Sequence, residues 1–174
     1  MQSSQLEHVI RAAAEITNQY EFVVIGSQSI LGAVENPPAE CTLSMEADIY
    51  PMNAPELADL IEGAIGELSF FHEHFGYYAQ GVGPETARLP EGWTQRLVRL
   101  QSAATNGRVA YCLDPVDLFV SKAAAGREKY AVFNRALLSH GVVELEQALS
   151  RADQLPDAPL ARTLGVTRPR QGRV

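Results

Sequence analysis

The sequence predicts an α/β protein of the α+β kind, with a mixed sheet and a helical C-terminal part. Three observations carry this. Phe22-Val23-Val24-Ile25 is a short apolar run that stops at Gly26-Ser27, as a buried strand ending in a tight turn would. Leu43–Tyr50 alternates: Met45, Ala47 and Ile49 share one face of a strand, and Ser44, Glu46 and Asp48 the other. From Asp114-Pro115 onward the pattern becomes helical, with Asp as N-cap, Pro at the first helical position and Asp117 in the first turn, where it favours the helix dipole.

Taken in order, Leu6, Val9, Ile10, Ala13 and Ile16 recur at helical spacing and predict an amphipathic helix over 4–19. Glu21–Ile25 follows as a strand, and Gln28–Val34 has helical character up to the loop signal Glu35-Asn36-Pro37-Pro38. After the Leu43–Tyr50 strand, Asn53, Pro55 and Glu56 resemble a capping box. The helix they open carries the apolar stripe Leu57, Leu60, Ile61, Ala64, Ile65 and Leu68. Ser69–Phe75 reads as a loop. Tyr77–Val82, Thr94–Leu100 and Val109–Leu113 read as strands. The first C-terminal helix runs to about Ala125, and Gly126 either breaks it or is tolerated in a helix continuing through Leu138. Val142–Ala152 is the last helix. The expected organisation is a core over 1–113, C-terminal helices over 114–155 packed on it, and a mobile tail over 156–174.

The totals narrow the function. A chain of 174 residues with 46% apolar and 20% charged residues suits one globular core. No apolar run approaches the roughly 20 residues of a membrane span, and the N-terminus lacks the pattern of a signal peptide. Cys41 and Cys112 are the two cysteines and form no CxxC, which fits reduced thiols and a cytoplasmic protein. A net charge of −7 argues against broad DNA or RNA binding, which needs a basic face. The arginines Arg162, Arg168, Arg170 and Arg173 crowd the last 13 residues and read as a solvated end.

Glu46 and Asp48 are the chemically suggestive pair. At i and i+2 on a strand their Cα atoms stand about 7 Å apart with side chains on the same face. Carboxylates that close repel unless a cation lies between them or one takes a proton. Hard oxygen donors suit Mg²⁺, which is often held by one or two carboxylates together with substrate phosphates. Gly26 and Ser27, at a strand end that opens a helix, suit a phosphate. Lys122 and Lys129 are the only lysines, seven residues apart, which on a continuous helix places them on one face near Arg127. His72-Glu73-His74 invites a metal reading, but no further His or Cys lies close by in the sequence.

Ile25-Gly26-Ser27 followed by Glu46-Ala47-Asp48 resembles the signature that opens the DNA polymerase β-like nucleotidyltransferase fold. The likeness extends through Ile65–Glu73, Phe75–Val82, Leu89–Trp93, Leu113–Lys122 and Ala125–Lys129. These segments are similar to a family of small bacterial proteins of that superfamily and, more distantly, to abortive-infection toxin and antitoxin nucleotidyltransferases. The resemblance covers most of residues 5–150. It implies a mixed-sheet nucleotidyltransferase-like core and a nucleoside triphosphate substrate. It implies Glu46, Asp48 and Lys122 as catalytic residues, with Mg²⁺ on Glu46 and Asp48. Gly26, Ser27, Lys122, Arg127 and Lys129 would hold the nucleotide. The acceptor would be a hydroxyl of a protein or an RNA.

Three departures point toward a rival reading, a scaffold that has lost turnover and serves as a binding partner or regulator, such as a toxin–antitoxin component. The leading acid is Glu46 where many relatives have Asp. A third carboxylate is expected on a later strand, but the Thr94–Leu100 strand has none, and Glu67, Glu73, Glu85 and Glu91 sit near loops. Tyr130 stands where relatives place an acid.

Overall fold

The computed structural model describes residues 1–157. The four C-terminal arginines lie outside the described residues. The element order is α1 (Ser3–Thr17), β1 (Glu21–Val24), α2 (Ile30–Ala33), β2 (Glu46–Pro51), α3 (Ala58–Ile65), α4 (Phe70–Phe75), β3 (Tyr78–Gly81), β4 (Val98–Leu100), β5 (Val109–Cys112), α5 (Pro115–Ala125), α6 (Glu128–Ser139) and α7 (Leu145–Ala152). The five strands form one mixed sheet in the order β3-β2-β1-β5-β4. β1 runs antiparallel to β2 and parallel to β5, β2 runs parallel to β3, and β4 runs antiparallel to β5.

β1 is the centre of the sheet because Phe22, Val23 and Val24 are apolar on both faces and all buried. α1 covers one side with Leu6, Val9, Ile10, Ala13 and Ala14, and ends at Asn18 in the left-handed conformation (φ 51°). In β2, Ala47 and Ile49 are buried while Glu46 and Asp48 are half-buried on the opposite face, as the alternation requires.

Several elements differ from the sequence expectation, each for a local reason. Asn53 does not cap a helix: its amide donates to Glu21 Oε2 (3.2 Å), and Ala54 precedes a single 3₁₀ turn instead. α3 buries Ala58, Ile61 and Ile65, while Leu60 and Leu68 are exposed, so the apolar stripe is narrower than its pattern suggests. Ser69–Phe75 is not a loop. Ser69 Oγ accepts from His72 N–H (3.1 Å) and caps α4, which sets Phe71 and Phe75 one turn apart in a ring cluster with His8 and Tyr77. Thr94–Leu100 is a strand only from Val98. Trp93–Arg96 winds as a 3₁₀ turn, and Arg96 reaches back to Glu91 O and across to Asp117.

α5 begins as expected, with Asp114 Oδ1 accepting from Val116 and Asp117 N–H (3.0 and 3.2 Å). Gly126, at φ 64°, ends the helix, so α5 and α6 are separate and Lys122 and Lys129 are not on one continuous face.

Asp117 is more than a first-turn acid. It is fully buried and meets Arg96 through Nε and Nη2 (2.9 and 3.0 Å) and Arg151 Nη1 (2.6 Å), tying α5 to α7 and to the segment before β4. Asp117→Asn leaves two guanidinium groups facing a neutral amide, and removing one partner of a buried pair is costly. We expect a loss of about 2–3 kcal/mol in urea unfolding, below the full buried-pair cost because both arginines keep some contact with water. An unchanged urea midpoint would contradict the role given to Asp117.

Candidate active site

The strand ends bring the acidic pair to the turn. Ile25 N–H donates to Asp48 O (3.0 Å), extending the β1–β2 ladder to the point where β1 stops. Gly26 therefore lies directly against the Asp48 side chain. A Cβ at Gly26 would fall 1.7 Å from Asp48 Oδ2 and 2.6 Å from its Cγ, so glycine is required here by close approach, not by φ, which is an ordinary −80°.

The turn beyond Gly26 is not the opening of a long helix. Ser27–Ser29 is a 3₁₀ turn, and α2 adds four residues. Ser29 N–H is used by Gly26 O (3.0 Å). A helix this short contributes little dipole, so phosphate binding here has to come from side-chain cations.

Those cations are present. Gly26, Ser27, Glu46, Asp48, Lys122, Arg127 and Lys129 all line one open cleft of about 680 Å³, a volume in the range of about 300–1,000 Å³ usual for small-molecule sites. The structure thus brings together every residue that the sequence singled out for the site. Lys122 is buried, its Nζ donates to Ser27 Oγ (2.7 Å), and it stands over the rings of Tyr130 (3.8 Å) and Phe133 (4.5 Å). Lys129 and Arg127 reach the cleft from the start of α6 and its N-cap. Both approach the Tyr130 ring as well, at 5.4 and 5.7 Å. Lys122 and Lys129 come to the same cleft through the bend at Gly126, not through a shared helical face.

Three residues of the cleft were missed from the sequence. Tyr130, noted there only for not being an acid, is the ring around which three cations gather, an arrangement that the ring's negative face favours. Arg88 lines the cleft, donates to Ala124 O (3.3 Å) and pairs with Asp157. No sequence pattern marks it. Gln80 is the most informative. β3, not the strand ending at Leu100, is the neighbour of β2, and its register sets Gln80 opposite Asp48 and Tyr78 opposite Glu46. Tyr78 O–H donates to Glu46 Oε2 (2.8 Å). The Gln80 amide nitrogen can donate to both Glu46 Oε1 (3.0 Å) and Asp48 Oδ1 (3.2 Å). Strand pairing, had it been known, would have directed attention to this position.

Electrostatics follow from burial. Asp48 is pushed up to about 7, first by desolvation and then by Glu46 beside it, against the opposing pull of Lys122 and Lys129. Lys122 is brought down to about 8, chiefly by desolvation, with Asp48 opposing. Cys41 at the cleft wall is raised to about 11 by burial, so it is an inert thiol at neutral pH.

The donor set fits a hard divalent cation. Glu46 and Asp48 both line the cleft from one face of β2, and two such carboxylates suit Mg²⁺ when substrate phosphates supply further oxygens. Among the described residues no group of three or more His, Cys, Asp or Glu converges. His72-Glu73-His74 lies on α4, where His72 Nδ1 accepts from Leu68 N–H (3.1 Å) and its ring packs on Tyr78. Among the described residues no helix is long and apolar enough to cross a membrane.

Comparison with curated proteins and with solved structures yields no match. A family described as nucleotidyltransferase of unknown function (DUF6036) matches residues 4–144, which takes in the sheet, the acidic pair, the Gly26 turn and all the cleft cations. The match spans well over half of the chain, and the protein belongs to this nucleotidyltransferase family.

Proposed function

We propose that the chain transfers a nucleoside monophosphate from a nucleoside triphosphate to an acceptor hydroxyl of a protein or an RNA. The observation that carries this reading is the meeting, in one cleft, of a close-packed acidic pair with the cations Lys122, Arg127, Lys129 and Arg88. A triphosphate needs that combination: positive side chains to hold its oxygens, and carboxylates to anchor the cation that travels with it.

Glu46 and Asp48 would hold Mg²⁺, which when bound supplies charge neutralisation at the transferring phosphoryl group. Lys122, held by its hydrogen bond to Ser27 Oγ and steadied by Tyr130 and Phe133, would donate to phosphate oxygens, with Lys129 and Arg127 reaching from the cleft rim. The acceptor hydroxyl oxygen attacks the α-phosphorus in line and gives up its proton to solvent, the bond from that phosphorus to the bridging oxygen breaks, and pyrophosphate leaves. Positioning and charge stabilisation carry most of the rate in such a transfer. The acidic chain favours a protein acceptor over an RNA one.

A second reading has its own observation. Gln80, not an acid, faces Asp48 across the β2–β3 register, and among the described residues no third acid joins the pair, which favours a scaffold that binds without turnover, as a regulator or as one half of a toxin–antitoxin pair.

The two readings separate on one experiment. The chain is incubated with Mg²⁺ and each labelled nucleoside triphosphate in a cell extract, and label is followed into protein and RNA. Transfer by the wild type that disappears in Asp48→Asn supports the enzyme. No transfer with any nucleotide, or equal labelling by both, overturns it. Lys122→Met removes a charge-assisted donor worth roughly 1.5–3 kcal/mol, so KM for the triphosphate should rise about ten- to a hundredfold. A Lys122→Met enzyme with wild-type KM would remove Lys122 from phosphate binding.

A further inference from the structure

We propose that Gln80 is the positioning residue of the acidic pair: its amide holds Glu46 and Asp48 together when no cation is bound, turns its carbonyl oxygen inward when one is, and restricts the site to a single divalent ion. The inference rests on the transfer reading above and specifies its metal requirement.

The register carries the argument. β2 and β3 are parallel neighbours, with Glu46 opposite Tyr78 and Asp48 opposite Gln80, so all four side chains project from the same face of the sheet. Every carboxylate oxygen of the pair then has a defined neighbour. Tyr78 O–H meets Glu46 Oε2 at 2.8 Å, and the Gln80 nitrogen bridges Glu46 Oε1 and Asp48 Oδ1 at 3.0 and 3.2 Å. Asp48 Oδ2 rests over Gly26. A carboxylate at position 80 would add a third acidic group beside a half-buried acidic pair.

Glutamine avoids that repulsion and offers both ends of one group. Its nitrogen has two donors and its oxygen two acceptor sites, and rotation about the last bond exchanges them. The nitrogen end suits the bare acids, and the oxygen end suits a hard cation. Two-ion sites need carboxylate charge for both ions, and among the described residues only this pair of acids converges here. Lys122 and Lys129 already bring positive charge to the same cleft. One ion is what this charge balance supports.

The test reads binding, not turnover. Free Mn²⁺ is titrated against the full chain and followed by electron paramagnetic resonance, for wild type, Gln80→Ala, Gln80→Glu and Asp48→Asn. Wild type should bind one Mn²⁺ per chain and Asp48→Asn none. Gln80→Ala should bind about tenfold more weakly, the size of effect usual for groups that orient metal ligands. Gln80→Glu should bind a second ion or bind the first about tenfold more tightly. Two ions on the wild type, or wild-type binding by both Gln80 variants alongside loss in Asp48→Asn, overturns the role of Gln80 and leaves the transfer reading standing. No Mn²⁺ binding by wild type or by Gln80→Glu overturns both. Gln80 is exposed at the end of a short strand, so its variants should still fold, and a circular-dichroism melt checks this.

Discussion

Asp48→Asn should abolish nucleotidyl transfer and at the same time make the metal-free protein more stable. The loss of activity should be at least about a hundredfold, because the residue would anchor the cation and removing one preorganised electrostatic group commonly costs about 10²–10³. The gain in stability follows from the direction of the pKa shift. In the folded chain Asp48 is pushed up to about 7, first by burial and then by Glu46. In the unfolded chain it titrates near 3.9. Between those values the folded state binds more protons, so stability falls as pH rises from about 4 to about 7 and stays low above that. Asparagine is neutral throughout and escapes the penalty. The gain should be near zero at about pH 4 and reach about 2 kcal/mol at about pH 8, a rise of roughly 4–8 °C in melting temperature for a chain of this size. Thermal melts of both proteins in chelator at the two pH values check it. A variant that is less stable than wild type at about pH 8 would show that Asp48 is not held in a desolvated, self-repelling pair.

The second large effect is expected from Gly26→Ala. The backbone there is in an ordinary extended conformation, so alanine meets no φ/ψ penalty. The obstacle is Asp48: the new Cβ would lie 1.7 Å from Oδ2, 2.6 Å from Cγ and 3.0 Å from the Asp48 Cβ. The last of these cannot be relieved by rotating the carboxylate alone. Either Asp48 swings away from Glu46 and Gln80, or β1 and β2 part at the Ile25–Asp48 hydrogen bond. A displacement of about 1 Å at a reacting centre is enough to cost about a hundredfold in rate, and overpacking costs about 1–3 kcal/mol. Transfer activity and urea unfolding should both fall. Full activity with full stability would mean that the turn can shift freely and that Gly26 does not position Asp48.

These two residues also show how far the sequence alone could be read. Glu46 and Asp48 were legible as a same-face pair because a strand has a period of two, a local property. Gly26-Ser27 was legible as a turn because it stops an apolar run. The start of α5 was legible because N-capping by Asp114 is completed within three residues. The failures have a common cause in contacts distant along the chain. Ser69–Phe75 looked like a loop, since its helix is stabilised by rings on α1 and β3. Thr94–Arg96 reads as the start of a strand from sequence, since the 3₁₀ turn there is drawn toward Asp117, 21 residues beyond Arg96.

What the sequence by itself determined is the set of local devices: the apolar centre of the sheet, the acids on one face of β2, the lysines as the scarce cations, and the family likeness. Strand neighbours were decided only in the tertiary structure, because pairing depends on which edges remain open once the other elements have packed. That decision set Gln80, not an acid, across from Asp48 and made Gly26 necessary by contact with a side chain 22 positions away. It also gathered Lys122, Arg127 and Lys129 around Tyr130, through a bend that only the left-handed φ of Gly126 permits.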